Sequence, residues 1–157
     1  MNVVIGLGAN LGDRLGQMRA ACERIAKLGT IRARSRVFET EPVGPPQPLF
    51  LNAALALETK LAPAELMNAL LAIEHAMGRV RTEKDAPRTI DLDLLWVEGV
   101  TLKTDLVTVP HPRLKDRAFA LAPLLDVAPA AREPATRMAY AEISFDASGI
   151  RATDDVL

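Results

Sequence analysis

The 157 residues include one cysteine, one tryptophan, one tyrosine and two histidines. A single thiol, Cys22, allows no internal disulfide and no multi-thiolate zinc site. His75 and His111 are too few for a histidine-based metal centre or a conventional serine triad. No G-x-x-x-x-G-K-[ST] segment occurs, which excludes a P-loop. Gly6, Gly8 and Gly12 are spaced G-x-G-x-x-x-G rather than as a dinucleotide fingerprint, and no acidic residue ends a second parallel strand. They read instead as a tight strand-to-helix turn. The net charge of −1 gives no basic field for nucleic acid. No apolar run approaches membrane-spanning length, and the start of the chain has no basic segment of the secretory kind. The expectation is a soluble, cytoplasmic protein, monomeric, with no nucleic-acid or membrane partner.

What is present is an ordinary globular composition, 49% hydrophobic and 25% charged, enough for one domain over 1–157. Residues 3–7 form a short apolar run that predicts a first, buried strand. Leu15, Met18, Cys22, Ile25 and Leu28 recur at helical spacing, with Gly29 placed as a C-terminal cap. Ile31, Ala33, Ser35 and Val37 alternate with Arg32, Arg34 and Arg36 as a half-buried strand whose arginines form a solvated face. Four prolines keep 42–48 irregular. Residues 50–58 alternate again, and Pro63 opens a second helix carrying Leu66, Leu70, Ile73 and Met77 inward and ending near Gly78. A charged loop, 79–89, leads into a strand at Asp91. Beyond it, 117–127 reads as a short helix interrupted by Pro123, and 143–150 as a strand or hairpin around Gly149. Strand, helix, strand, strand, helix, strand is the order of a ferredoxin-like split βαβ, an α+β fold with an antiparallel sheet and helices packed on it. Extra C-terminal elements follow, with 130–157 a divergent tail. Leu51, Leu55, Leu57, Ile90, Leu92 and Leu94 take the helix side. Phe50, Asn52, Asp91 and Asp93 are left on the other.

Asp91 and Asp93 then lie about 6–7 Å apart on one strand face. Asp is depleted in strands, and two like charges that close repel unless a cation lies between them. Magnesium typically takes one or two carboxylates plus substrate phosphates. Arg79, Arg81, Arg88 and Arg117 supply the complementary half, since guanidinium forks bind phosphate oxygens bidentately. His111, held between Pro110 and Pro112, is a rigid phosphate donor. Phe50 and Asn52 face the same way, so a flat heterocycle could stack on the ring while the carboxamide pairs with its edge. The rigid proline loop would present fixed backbone groups beside them. The 79–89 loop could close on a nucleotide and expel water.

Taken together, these residues resemble the 6-hydroxymethyl-7,8-dihydropterin pyrophosphokinase (HPPK) family of folate biosynthesis. The motifs that carry the resemblance run in order along the chain. They are Gly6-Leu7-Gly8-Ala9-Asn10-Leu11-Gly12-Asp13-Arg14, Glu39-Thr40-Glu41-Pro42-Val43-Gly44 and Gln47-Pro48-Leu49-Phe50-Leu51-Asn52, then Ile73-Glu74 with Gly78-Arg79-Val80-Arg81. Pro87-Arg88-Thr89-Ile90-Asp91-Leu92-Asp93-Leu94-Leu95 and Pro110-His111-Pro112 with Arg117-Ala118-Phe119 complete the set. The resemblance implies the ferredoxin-like fold and transfer of pyrophosphate from MgATP to the pterin's hydroxymethyl group, releasing AMP. It implies two Mg²⁺ ions on Asp91 and Asp93, and triphosphate contacts from Arg79, Arg88, His111 and Arg117, with Arg81 nearby. Phe50 and Phe119 match the rings that sandwich the pterin. Asn52 matches its side-chain partner, and Thr40 and Val43 match its backbone partners. Glu74 and Thr108 fall where the family contacts the nucleotide. The chain departs from many members in having Asp85-Ala86 where they carry an aromatic before the Pro-Arg pair, and Phe50 where a tyrosine is also common. The rivals are a kinase that transfers only the γ-phosphate, a non-catalytic module on the same fold, and a nucleic-acid binder.

Overall fold

A computed structural model of the protein describes residues 1–42, 44, 46–78 and 90–157. Its centre is β1 (Asn2–Ala9), which pairs antiparallel with β4 (Phe50–Glu58) on one side and β5 (Asp91–Val97) on the other. The outer edge of β4 is shared by two short strands, β2 (Thr30–Arg34) and β3 (Phe38–Thr40). A C-terminal strand, β8 (Ile150–Ala152), pairs with β3, so the sheet runs β5-β1-β4-β3-β8 with β2 also on β4. A separate hairpin, β6 (Leu102–Lys103) with β7 (Thr108–Val109), follows β5. Among the described residues this is a mixed α/β architecture with an antiparallel sheet and three α-helices.

The two faces of the sheet bury different cores. Period-two alternation turns Val3, Ile5 and Leu7 of β1, Leu51, Leu55 and Leu57 of β4, and Leu92 and Leu94 of β5 to one face. There they meet Met18, Cys22 and Ile25 of α1 (Arg14–Ile25) and Leu66, Leu70 and Ile73 of α2 (Pro63–Ala76). This is the helix side expected from sequence. The opposite face carries Val4, Ala54, Leu95 and Trp96 under α3 (Ala118–Val127), with Leu121, Leu124 and Tyr140. Trp96 reaches its partner by donating its indole N–H to the Arg132 carbonyl at 2.8 Å. α3 is continuous rather than interrupted. Pro123 is buried in it, and its missing N–H is one lost bond in a helix held by apolar packing.

Helix ends follow local chemistry. Asp13 caps α1, its carboxylate accepting the Gly16 N–H at 3.1 Å. Pro63 opens α2 and Glu65 accepts the Ala62 N–H at 3.0 Å. Gly78, at φ 85°, ends that helix with its N–H on the His75 carbonyl. His75 itself is exposed. Gly29 is not a cap, because α1 closes on Ala26 in right-handed conformation. A Cβ at Gly29 would stand 2.2 Å from the Glu58 carbonyl, so glycine is there to let the chain pass the end of β4. The single strand expected over 31–37 is broken at Ser35. The Ser35 hydroxyl accepts the Ala54 N–H at 2.7 Å and the Arg36 N–H leaves the ladder for Asp126, so β2 and β3 are two pieces. The hairpin β6–β7 has no counterpart among the sequence expectations, and in place of the strand or hairpin expected over 143–150 a strand forms at Ile150–Ala152.

Replacing Gly29 by Ala should therefore cost about 1–3 kcal/mol through the forced backbone contact. Chemical denaturation would read it as a lower midpoint at unchanged slope.

Candidate active site

The cleft exists because the central strand has no side chains where it needs none. Gly6 stands between Ala54 and Asp93 in the sheet, and Gly8 between Asn52 and Asp91. Both glycines lie on the α3 face, in step with Val4. A Cβ on Gly8 would come 2.8 Å from Asn52 Oδ1, and one on Gly6 would come 3.0 Å from Leu95 Cδ1. Sequence reading placed these glycines in a turn. Their two-residue spacing inside an apolar strand was the signal that they share a face. With this floor left bare, Thr40, Glu41, Phe50, Asn52, Asp91, Asp93, Leu95, Arg117, Phe119 and Ala120 enclose a cleft with about 680 Å³ of empty space, solvent included.

One wall carries two aromatic rings and a carboxamide. Phe50 begins β4 opposite Thr40, and Phe119 stands on the first turn of α3. Thr40 is buried, and its hydroxyl accepts the Asn52 amide N–H at 2.6 Å. That bond fixes the carboxamide's orientation and leaves Asn52 Oδ1, which sits over Gly8, as the acceptor presented to the cleft. The loop before β4 is tied down as well. Asn10 donates to Gln47 Oε1 at 2.8 Å and to the Pro48 carbonyl at 3.0 Å, while Arg14 donates to the Leu49 carbonyl at 2.9 Å.

The other wall is ionic. Asp91 and Asp93 are half-buried on β5 and face the cleft together. Leu95 is the extra residue of an irregularity in β5, where the register with β1 shifts between Val4 and Ile5. Its carbonyl accepts the His111 N–H at 2.8 Å, which brings the 110–117 segment alongside. His111 Nδ1 accepts the Arg113 N–H at 3.2 Å, so the neutral ring carries its proton on Nε2. Arg117 lies with its guanidinium carbon 5.4 Å from the Phe119 ring centroid. Among the described residues no cluster of three or more His, Cys, Asp or Glu forms a metal cage. Two carboxylates on one strand face are donors of the kind a hard ion shares with phosphate and water.

Glu74 and Thr108 lie apart from this lining. Glu74 is buried on α2 and accepts the Leu92 N–H at 2.8 Å, so it also holds the edge strand β5. Thr108 is half-buried in the β6–β7 hairpin. Val43, Arg79, Arg81 and Arg88, expected at the site from sequence, fall outside the described residues. Glu41, Leu95 and the two floor glycines line the cleft without having been singled out for it.

Residues 4–129 match the family model for 7,8-dihydro-6-hydroxymethylpterin-pyrophosphokinase. The chain belongs to this family. It is 39% identical over 153 residues to the 2-amino-4-hydroxy-6-hydroxymethyldihydropteridine pyrophosphokinase of Methylorubrum extorquens, covering 96% of this chain and 97% of that one. The Synechocystis protein of the same name is 40% identical over 128 residues, covering 80% of this chain and 66% of that one. The fold is similar to the crystal structure of wild-type HPPK-DHPS from Plasmodium falciparum, with TM-score 0.65 at 13% identity. That match covers 89% of this chain but 42% of the other, so the present chain spans less than half of the longer protein.

Burial lowers the His111 pKa from its ordinary 6.5, and the Arg117 charge pushes the same way against a smaller opposing pull from Asp91. The folded value lies below the unfolded one, so this ring's contribution to stability is complete above pH 6.5 and is lost as pH falls through the folded pKa. In the free protein, an NMR titration of the His111 ring should show a midpoint below 6.5. A midpoint at or above that value would mean the ring is not desolvated as described.

Proposed function

We infer that this cleft transfers the terminal pyrophosphate of ATP, supplied as its magnesium complex, to the hydroxymethyl group of 6-hydroxymethyl-7,8-dihydropterin in folate biosynthesis. The hydroxymethyl oxygen forms a bond to the β-phosphorus, the bond from that phosphorus to the α-phosphate bridging oxygen breaks, AMP leaves, and the hydroxyl proton is released. The observation that carries this reading is the meeting of two walls over one bare floor, in a chain of this family. Phe50, Phe119, Asn52 and Thr40 suit a flat hydrogen-bonding heterocycle, and Asp91, Asp93, Arg117 and neighbouring His111 suit a magnesium-bound polyphosphate.

Each group has a separate part. The two rings hold the pterin by stacking, worth about 1–3 kcal/mol per ring by analogy with base–aromatic contacts. Asn52 Oδ1 accepts from the heterocycle's edge, with its amide held by Thr40. A backbone contact from Val43 enters from sequence alone. Asp91 and Asp93 would hold magnesium, which when bound neutralises phosphate charge and aligns the reacting oxygens. Arg117 and the Nε2–H of His111 stabilise charge on the transferred group, joined by Arg79, Arg81 and Arg88 on the strength of the sequence. Glu74 and Thr108 would act on the nucleotide side. In such a loose transition state positioning and electrostatics suffice, so a strong general base is not required. The strand order β5-β1-β4-β3, with α1 and α2 on one face, supports a ferredoxin-like split βαβ extended by α3 and β8. The pairing of β8 with β3 supports a single domain that includes the tail.

Incubation with MgATP and the pterin alcohol should give AMP and pterin diphosphate in equal amounts. ADP as the stoichiometric product would favour the simple kinase instead. Asp91→Ala and Asp93→Ala should each lower turnover about a hundredfold or more while the protein remains folded, because each removes a member of a mutually repelling pair. Near-normal rates in either variant at saturating magnesium would remove that residue from metal binding.

A further inference from the structure

The family match ends at residue 129, yet the last residues of the chain are bonded to the strand that lines the heterocycle wall. β3 is three residues long. Its inner edge meets β4 at Phe38↔Asn52, Glu39↔Leu51 and Thr40↔Phe50, so each of its ends lies opposite a ring-binding residue. Its outer edge meets β8 at Phe38↔Ala152, Glu39↔Arg151 and Thr40↔Ile150. Bonds continue past both ends of that ladder. The Glu41 N–H donates to the Gly149 carbonyl at 3.1 Å, and the Thr153 N–H and hydroxyl both donate to the Val37 carbonyl at 2.9 Å.

Side chains link the same elements. Arg151 Nη2 donates to Glu39 Oε1 at 2.5 Å, and Arg14 takes Glu39 Oε2 at 3.1 Å. The same Arg14 nitrogen also holds the Leu49 carbonyl, one residue before Phe50. Glu39 therefore joins the tail to the loop that leads into the stacking ring. The tail is anchored again beyond β8, where Arg19 donates twice to the Val156 carbonyl at 3.0 and 2.8 Å and Leu157 packs against the first core.

We propose that residues 149–153 are a positioning element for the heterocycle side of the cleft, holding β3 so that Thr40 keeps the Asn52 carboxamide aimed at the ring. Three ladder positions on one side are too few to hold a strand firmly, since isolated pairings of that length are marginal in water. The second ladder makes β3 an interior strand. A displacement of β3 by a fraction of an ångström would lengthen the 2.6 Å bond from Asn52 to Thr40 and free the amide to turn. Arg151 is 70% exposed, and exposed ion pairs contribute little to global stability. Its effect belongs in substrate affinity rather than in the melting temperature.

This inference rests on the assignment of Phe50, Asn52 and Thr40 to the pterin, and the test separates the two. Full-length Arg151→Ala, Thr153→Val and the double variant are compared with wild type and Asn52→Ala. Pterin KM, ATP KM, kcat, pterin affinity by calorimetry and thermal unfolding are measured for each. The double variant should weaken pterin binding about tenfold, with ATP KM and kcat held and melting nearly unchanged. Arg151→Lys should restore most of the loss. Pterin affinity within about twofold of wild type in the double variant, while Asn52→Ala binds weakly, would make the tail only a cover for the sheet edge. Equal rises in both KM values, or a fall in kcat, would overturn the positioning role in favour of general support. If the double variant does not fold, the single variants decide by the same criteria. An Asn52→Ala variant that binds pterin normally would remove the heterocycle assignment itself, and the proposal with it.

Discussion

The structure depends on the bareness of one strand. β1 is the centre of the sheet, and its core face carries Val3, Ile5 and Leu7 like any buried strand. Its other face carries Val4 and then Gly6 and Gly8, and those two positions create the cleft floor. Side chains there would have met Leu95 and the Asn52 amide. The loss of apolar burial at two central positions is offset by the depth it gives. The neighbours on both sides, Asp91 and Asp93 on β5 and Asn52 on β4, are set at fixed lateral spacing by the ladder itself. A site built on strands is more precise than one built on loops, because every distance follows from register.

That face is divided along its length. Toward Val4 it is closed by α3 and the Trp96–Tyr140 cluster, an ordinary apolar core. Toward Gly8 it is open, and α3 contributes its first turn, Phe119, with Arg117 just before it. The helix thus joins the packed half to the chemical half. Its far end is tied by Asp126, which accepts from Arg36 Nε at 3.0 Å, from Nη2 at 2.9 Å and from the Arg36 backbone N–H at 2.9 Å. The register shift at Leu95 connects the halves from the β5 side, turning Leu95 over Gly6 and offering its carbonyl to His111.

Much of this was legible in the residues because period-two and helical patterns report directly on which face is buried. Leu51, Leu55, Leu57, Leu92 and Leu94 went to the helix side, and Phe50, Asn52, Asp91 and Asp93 face the cleft together. The failures share a physical cause. Glycine has no polarity to alternate, so Gly6 and Gly8 could be read as a turn. Gly29 looked like a cap because the tertiary contact with Glu58 leaves no trace in local sequence. Ser35 fitted the alternation of a strand, yet its hydroxyl could replace a ladder bond and break it. The C-terminal segment had no period to read, since β8 is short and its partner, β3, lies more than a hundred residues earlier.

The two walls also differ in what they require before a ligand arrives. The wall carrying Phe50 and Asn52 is organised by contacts within the protein, from Thr40 to Asn52 and from the tail to β3, the Arg151–Glu39 pair among them. The ionic wall brings Asp91, Asp93 and Glu41 together with Arg117 among the described lining residues. Under the proposed function, a polyphosphate placed beside those carboxylates needs cations between them. Sequence places Arg79, Arg81 and Arg88 in the segment just before β5. Under the proposed function, recognition of the flat ring rests on packing and hydrogen bonds. Acceptance of the polyphosphate depends on charge brought in with it, and the reaction is confined to the moment when both are present on one floor.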